Sequence, residues 1–201
     1  MSARASIEFA KCCAEQKAPA KHGILVQQHT GGTAFFNRSW AEFKVGFGNT
    51  SDNYWIGNER LHQLTKDGRY KLRVDLLATF NGLWYWAEYD RFSVGSELSR
   101  YTLLVSDYTG NAGDGMTVDG IVGYNLNGAK FQTYDYYLIG RCIDAINNVG
   151  GFWYTGRGIH TCGHAVVNRK SPYFAWKSLP IGYRHQIQVA LLQSRMSLLE
   201  K

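Results

Sequence analysis

Apolar and polar residues alternate along several stretches in the first half of the chain. In YKLRVDL, residues 70–76, every second position is apolar and the positions between them are charged. A period of two predicts a strand with one buried face. The pair Asn81-Gly82 predicts a hairpin turn, which residues 83–94 follow as the return strand. Further strands are predicted at residues 23–30 and 100–108.

A helix start signal lies in NRSWAEFKVGFG, residues 37–48. Ser39 and Glu42 stand three residues apart, which is the spacing of a capping box. In that motif each side chain bonds the backbone N–H of the other residue. Gly46 and Gly48 follow closely and predict the end of the helix. The pattern therefore predicts a short helix that begins after Ser39.

A second helix is predicted over GNERLHQLT, residues 57–65. Leu61 and Leu64 are three residues apart, so they share one face of a helix. Asn58 is predicted to cap it, because an asparagine side chain can accept a hydrogen bond from an N–H of the first turn.

The regular pattern ends in the second half of the chain. Residues 110–180 are rich in glycine, asparagine and aromatic residues, which predicts a long irregular region, and a loop of that length is usually functional. Residues 185–192 alternate again and predict a closing strand. We therefore expect an α+β fold with a small antiparallel sheet, short helices and a large loop region. One domain is predicted over residues 23–192, with a tail at 193–201 and either a tail or the remnant of an amino-terminal subdomain at 1–22.

Composition and charge narrow the class of protein. Hydrophobic residues make up 45% of the 201 residues, which is enough for a sizeable core. The sequence shows neither an apolar run of membrane-spanning length nor the apolar segment of a usual signal peptide. The net charge of +6 arises entirely after residue 135, where eight basic residues face two acidic ones. A basic end can attract anionic sugars, a membrane surface or nucleic acid, but no basic run exceeds two residues, so solvated surface charge is the better explanation. Nucleic-acid binding ranks last because no recognition motif is present.

The four cysteines suggest an oxidising compartment. Cys142 and Cys162 flank a glycine-rich aromatic loop, which predicts a disulfide that staples it. Cys12 and Cys13 are adjacent, and neighbours reach disulfide geometry only with strain. We therefore expect the first pair to bond and the adjacent pair not to bond with each other.

Two asparagines stand in N-glycosylation sequons. The triplets are Asn37-Arg38-Ser39 and Asn49-Thr50-Ser51. Such triplets are common by chance, so the motif alone does not assign a modified site.

Metal chemistry has one candidate in the loop region. His160, Cys162 and His164 offer nitrogen and sulfur ligands at a spacing that suits zinc. A structural zinc site needs four ligands, and Cys142 is the nearest source of the fourth. A disulfide between Cys142 and Cys162 is the better explanation of the same residues.

The sequence contains few motifs that indicate catalysis. The sequence contains no G-x-S-x-G elbow, P-loop or G-x-G-x-x-G motif. Glu88 and Asp90 share a face of a predicted strand, but a glycosidase would need its two carboxylates to flank a cleft. We therefore expect a protein that is not an enzyme.

Six segments stand out in order along the chain: FNRSWAEFKVGFGN, YWIGNERLHQLT, YKLRVDL, WAEYDRFSVGSE, YTLLVSDYTGNAGDGM and NGAKFQTYD. These ordered motifs resemble the fibrinogen C-terminal-like domain, the fibrinogen-related domain of ficolins, tachylectins and angiopoietins. The resemblance extends over about residues 24–135, and weaker similarity continues to about residue 177. The resemblance implies the fibrinogen-like α+β fold and an extracellular, secreted domain, although this chain shows no signal peptide.

The resemblance also implies a calcium loop after F-x-T-x. Asp135 matches the first of two aspartates in that loop, whereas Tyr137 occupies the position of the second. Calcium takes six to eight oxygen ligands, usually with more than one carboxylate. We therefore expect a degraded site that binds calcium weakly or not at all.

The same resemblance implies a ligand pocket beside the second loop cysteine. His164 resembles its histidine, and the rings of Tyr154, Tyr173 and Trp176 are candidates to contact acetyl methyl groups and sugar C–H groups. The implied function is lectin-like recognition of glycans or acetylated groups in innate immunity. The alternative is a protein-interaction or signalling-ligand domain without sugar affinity, and simple core packing of the rings stays open. A homo-oligomer would strengthen weak binding of either kind.

Overall fold

The computed structural model describes residues 23–31, 35–118, 125–138, 150–155, 165–168, 175–176, 178–179 and 191–201. No helix in these ranges is long and apolar enough to cross a membrane. The elements, in chain order, are β1 (Ile24–His29), α1 (Trp40–Val45), β2 (Phe47–Gly48), β3 (Tyr54–Trp55), α2 (Asn58–Thr65), β4 (Tyr70–Ala78), β5 (Trp84–Val94), a 3-10 turn (Glu97–Ser99), β6 (Leu103–Gly110), β7 (Phe131–Gln132), β8 (Phe152–Trp153), β9 (Ala165–Val166), β10 (Ala175–Trp176) and β11 (Leu191–Glu200).

Seven of these strands form one sheet in the order β2-β3-β1-β11-β4-β5-β6. Neighbouring strands pair antiparallel throughout. The pairs β7–β8 and β9–β10 form two small sheets in the loop-rich half. The short helices and the antiparallel sheet confirm the α+β class.

The β4–β5 hairpin confirms the strand pattern read from the sequence. Leu72, Val74 and Leu76 are fully buried on one face of β4. The connection at residues 79–83 is longer than a two-residue turn, and Gly82 has a φ of +69° within it. An asparagine-glycine pair thus marks the hairpin correctly, although the turn contains more than those two residues.

The opposite face of this hairpin carries a ladder of ion pairs. Glu88 bonds the Lys71 ammonium at 2.6 Å and Nη1 of Arg73 at 2.9 Å. The Arg73 guanidinium also bonds Asp75 at 3.0 Å, and burial raises the pKa of Asp75 above its usual value. Glu88 forms these ion pairs and Asp90 is exposed. The two carboxylates considered for glycosidase chemistry therefore lie on the surface of the sheet.

The prediction of a tail at residues 193–201 is wrong. Leu191–Glu200 forms β11, which lies inside the sheet between β1 and β4. Met196 and Leu198 are buried, but so are Ser194 and Ser197, and these polar residues hide the apolar alternation. Of the closing strand predicted at 185–192, only the last two residues belong to β11, and residues 185–190 lie outside the described ranges.

Helix α1 begins as predicted. The backbone N–H of Ser39 donates to Glu42 Oε2 at 2.9 Å, and the Glu42 N–H donates to the Ser39 hydroxyl at 3.4 Å. The helix ends before Gly46, whose φ is +95°. A Cβ at Gly46 would lie 2.7 Å from the carbonyl oxygen of Ile56, so only glycine fits there.

Helix α2 starts differently from the prediction. Gly57 is the residue before the helix, and no side chain caps the first turn. Asn58 is buried inside the helix, and its Oδ1 accepts a hydrogen bond from Trp55 Nε1 at 3.0 Å. The predicted cap is therefore wrong, because the side chain satisfies a buried indole instead. Leu61 is buried and Leu64 packs against the core, as the shared helix face predicted.

Tilted and edge-to-face aromatic rings connect the sheet with the loop-rich half. The ring of Phe131 lies 5.1 Å from both Phe43 and Trp153, and Trp153 lies 6.1 Å from Trp55. Each such pair contributes about 0.5–1.5 kcal/mol beyond its buried area. This cluster fixes residues 131–132 against helix α1, and it sets the position of the segment that follows.

Candidate functional site

Asp135 lies in a tight turn beside helix α1. Thr133 and Tyr136 form an isolated bridge across the turn. The Thr133 hydroxyl donates to Asp135 Oδ1 at 2.8 Å, and the backbone N–H of Trp40 donates to the same oxygen at 2.9 Å. Trp40 is the first residue of α1, so Asp135 satisfies an N–H that the helix itself leaves without a partner. Its observed role is to hold the turn on the helix.

The described residues do not fit a calcium site at Asp135. One carboxylate oxygen already accepts two hydrogen bonds, and Tyr137 is an exposed phenol at the position where the resemblance implies a second carboxylate. Within the ranges that the structure describes, no three His, Cys, Asp or Glu side chains are grouped to hold a metal. Residues 139–149 lie outside those ranges, so the expectation that the loop binds calcium weakly or not at all stays a prediction.

The turn carries a run of exposed apolar side chains. Tyr134, Tyr136, Tyr137 and Leu138 each expose 40–45% of their surface. The Tyr136 ring stands edge-on to the indole of Trp40, with 4.6 Å between ring centroids. We call the shallow depression of about 430 Å³ beside them the Trp40–Tyr136 surface. It is lined by Trp40, Ala41, Glu97, Asp135 and Tyr136.

Contacts beneath this surface fix the orientation of Trp40. The indole stacks on Tyr101 at 5.4 Å, and its Nε1 donates to Glu97 Oε1 at 3.0 Å. Lys44 donates to Glu97 Oε2 at 2.6 Å, and this bond holds the pKa of Glu97 below its usual value. The Tyr101 hydroxyl donates to Glu59 at 3.1 Å, and burial raises the pKa of Tyr101. The indole is therefore held in place before any ligand arrives.

Backbone strain is concentrated at the same place. Arg100 and Tyr101 are consecutive residues with φ of +59° and +49°, a conformation that non-glycine residues rarely adopt. Each such residue costs about 1–3 kcal/mol, and strain of this kind is concentrated at functional sites. The two side chains support the two rings of the surface. Tyr101 stacks under Trp40, and the Arg100 guanidinium lies 3.8 Å from the Tyr136 ring centroid.

Two residues of the predicted ligand pocket are buried in the fold. Tyr154 exposes 2% of its surface, and its hydroxyl donates to the Gly150 carbonyl at 2.8 Å. Trp176 is fully buried, and its Nε1 donates to the Gly113 carbonyl at 3.0 Å. Its ring also packs against Gly115, where a Cβ would lie 2.4 Å from the indole. These contacts favour the packing interpretation for both rings.

The other candidate residues lie outside the described residues. They are His164 and Tyr173 of the predicted pocket, Cys142 and Cys162 of the predicted disulfide, His160 of the zinc alternative, and Cys12 and Cys13. The disulfide and the ligand role of His164 therefore remain predictions.

The sequence did not point to Trp40, Glu97 and Arg100 as neighbours of Tyr136. Trp40 lies in α1, Glu97 and Arg100 lie at the 3-10 turn, and Tyr136 follows β7, so the fold brings three separate segments together. One signal was present in the sequence, since TYDYYL places three tyrosines and a leucine around one aspartate in a turn. Exposed apolar residues in a turn indicate a contact surface more directly than aromatic content does.

Sequence relatives cover most of this chain. Tenascin of Gallus gallus is 36% identical over 181 residues, which is 87% of this chain and 9% of tenascin. Fibrinogen-like protein A of Apostichopus parvimensis is 33% identical over 176 residues, or 85% of this chain and 59% of that protein. Angiopoietin-1 of Bos taurus is 36% identical over 145 residues, or 72% of this chain and 27% of its own length. The chain thus spans less than two thirds of each of these relatives.

Solved structures and a family model agree with these relatives. The fibrinogen-like globe domain of human ANGPTL6 superposes with a TM-score of 0.69 at 27% identity, covering 88% of this chain and 77% of that one. The corresponding domain of human ANGPTL2 gives 0.65 at 28% identity, covering 88% and 79%. The family model for the C-terminal globular domain of fibrinogen beta and gamma chains matches residues 8–181. The chain therefore belongs to the fibrinogen C-terminal domain family.

Proposed function

We propose that this chain is a non-enzymatic, extracellular recognition domain that binds a partner protein through the Trp40–Tyr136 surface. One observation carries the proposal. Exposed tyrosines stand there on a framework of buried rings, ion pairs and strained backbone, whereas Tyr154 and Trp176 are buried. Tenascin and the angiopoietins are secreted extracellular proteins, which supports the location.

The chemistry of the surface suits a protein partner. Tyrosine, tryptophan and arginine are the residues most enriched at the energetic centres of protein interfaces. Tyr136, Trp40 and Arg100 supply all three types within one packed group. The depression is shallow, and Glu97 at its edge forms an ion pair with Lys44. Aromatic rings with charged residues at their edge match the usual anatomy of a protein interface, an apolar centre with a polar rim.

Glycan recognition is the second candidate. The exposed rings of Tyr134 and Tyr137 can stack against sugar C–H groups, as aromatic residues of lectins do. The predicted ligand residues His164 and Tyr173 belong to this candidate, which would recognise acetylated sugars and act in innate immunity. An aromatic surface alone does not distinguish the two ligand classes, so the test must separate them.

Binding of the purified domain to cultured human cells is measured before and after the cells are treated with protease or with glycosidases. A glycan and acetyl-ligand array is run in parallel with the same preparation. We expect protease to abolish cell binding, glycosidases to leave it, and the array to stay negative. Binding to an acetylated glycan on the array, with cell binding lost after glycosidase treatment, would establish the lectin candidate instead.

A further inference from the structure

The sequon Asn49-Thr50-Ser51 forms the exposed tip of the β2–β3 hairpin. The Asn49 N–H donates to the Asn53 carbonyl at 3.0 Å, and the Asp52 N–H donates to the Asn49 carbonyl at 2.9 Å. Gly48 enters the turn with a φ of +90°, and a Cβ there would lie 2.1 Å from the Asn53 oxygen. The hairpin therefore holds Asn49 on a tight, solvent-exposed turn.

The Asn49 side chain uses only one of its two polar atoms in the turn. Its Oδ1 accepts from the Ser51 N–H at 3.0 Å and from the Ser51 hydroxyl at 3.0 Å. An N-linked sugar is attached to Nδ2, and the resulting amide keeps Oδ1 as an acceptor. A glycan on Asn49 would consequently leave both hydrogen bonds of the turn in place.

Neighbouring strands support this tip from below. Gln28 of β1 donates through Nε2 to the carbonyl oxygens of Asp52 at 2.8 Å and Thr50 at 3.3 Å. The Thr30 N–H donates to Asn53 Oδ1 at 3.0 Å. None of these contacts uses the Asn49 amide nitrogen, and Asn49 itself is exposed, so they are compatible with an attached glycan.

The second sequon is placed differently. Asn37 is also exposed, but the hydroxyl of its sequon serine, Ser39, belongs to the capping box of α1. That hydroxyl donates to Glu42 Oε2 at 2.9 Å. In the folded domain the Ser39 hydroxyl therefore serves the helix cap, whereas the Ser51 hydroxyl bonds its own sequon asparagine.

We propose that Asn49 is an N-glycosylation site of this protein. In the transfer, Asn49 Nδ2 forms a bond to C1 of an oligosaccharide carried on a lipid diphosphate. The bond from C1 to the diphosphate oxygen breaks, the lipid diphosphate leaves, and the amide nitrogen loses one proton. The inference uses the extracellular location in the proposed function, but it does not depend on which partner is bound.

A glycan at Asn49 would also protect the edge of the sheet. Strand β2 is one edge, and it contains only two residues, of which Gly48 adjoins the sequon. The other edge, β6, is covered by residues 126–129, with Leu103 bonded to Ala129 at 2.9 Å and to Gly128 at 2.8 Å. Uncovered edges invite pairing with other chains, and a bulky solvated sugar beside β2 blocks that approach.

The test is to translate the chain behind a heterologous secretion signal in the presence of endoplasmic-reticulum microsomes. A reference sequon is fused at the carboxyl end as an internal control. Glycan number is read by mass before and after peptide N-glycosidase F, which converts a glycosylated asparagine to aspartate and so marks its position. Microsomal glycosylation does not require a stable fold, so variants remain interpretable even where they fold poorly.

We expect Asn49→Gln and Ser51→Ala each to lose one glycan, and Ser51→Thr to retain it. Asn37→Gln, the matched control, should leave the Asn49 glycan in place. An unmodified Asn49 in molecules whose reference sequon is glycosylated would overturn the proposal. That result would leave the partner-binding proposal unchanged, because partner binding is tested separately, by cell binding and by variants of Tyr136.

Discussion

Two groups of aromatic residues in the same half of the chain have opposite environments. Tyr154 and Trp176 are buried, and the one polar atom of each side chain donates a hydrogen bond to a backbone carbonyl. Tyr136 and Tyr137 expose 45% and 40% of their surface, on a turn that Asp135 fixes to helix α1. The difference teaches that aromatic content predicts neither packing nor recognition. The exposure of a ring and the contacts of its polar atoms decide which role it can have.

The largest effect is expected at the buried group. Trp176→Ala should lower the free energy of unfolding by about 3–5 kcal/mol, because a full indole is removed from a packed site. Chemical denaturation followed by circular dichroism measures this loss. Phe80→Ala is the control, since Phe80 is 47% exposed and its truncation should cost little. A fully stable Trp176→Ala variant would indicate that the ring is not part of the core.

A pH-dependent effect is expected where the sheet meets the buried loop segments. His29 Nδ1 donates to the Val167 carbonyl at 3.1 Å, and burial lowers the pKa of His29 below its usual 6.5. The unfolded chain therefore binds a proton more readily than the folded chain. Stability should be full above about pH 6.5 and fall by up to about 1.4 kcal/mol per pH unit as the pH drops below it.

Urea denaturation of wild type and His29→Gln across this pH range tests the assignment. The variant should start less stable, because a buried side chain has been replaced, but its stability should vary less between neutral and mildly acidic pH. If the free energy of unfolding falls equally with pH in both proteins, a group other than His29 causes the loss of stability in acid.

A smaller effect is expected at Asp135. Asp135→Ala removes the acceptor for the first N–H of α1 and should cost about 1 kcal/mol, the usual value of a lost helix cap. The cost should be the same in chelator and in millimolar calcium, because the described residues offer calcium one carboxylate. Thermal melts in both buffers give the comparison. A calcium-dependent rise in melting temperature that Asp135→Ala abolishes would show a working metal site. Tyr137→Asp tests the degraded site from the other direction, by restoring the second carboxylate.

The sheet was predictable from sequence where each strand has one buried apolar face. Strand β4 and the capping box of α1 are local patterns, and both appear as expected. Strand β11 was missed because Ser194 and Ser197 occupy buried positions, so its place in the sheet depends on β1 and β4 and not on its own alternation. The family match also ends at residue 181, before this strand begins.

The candidate site was less predictable, for a similar reason. Asp135 was recognised from the motif around it, but its bond to Trp40 joins residues 95 positions apart. The left-handed backbone conformation at Arg100 could not be predicted from a glycine, because the residue there is an arginine. Packing fixes both features, and packing is not visible in a local pattern. The expected ligand role of Tyr154 and Trp176 came from aromatic content, which does not report burial.

The most direct measurement of the central claim compares cell-surface affinity of Tyr136→Ala with that of Phe80→Ala. Both variants truncate rings of similar exposure, 45% and 47%, so both should remain folded, although Tyr136→Ala also loses the edge-on contact with Trp40, which is worth about 0.5–1.5 kcal/mol. If the Trp40–Tyr136 surface is the binding site, Tyr136→Ala should weaken binding about tenfold or more, as truncation of an interface centre does, while Phe80→Ala binds like wild type. Equal affinity of the two variants and wild type would contradict the claim and place recognition elsewhere on the domain.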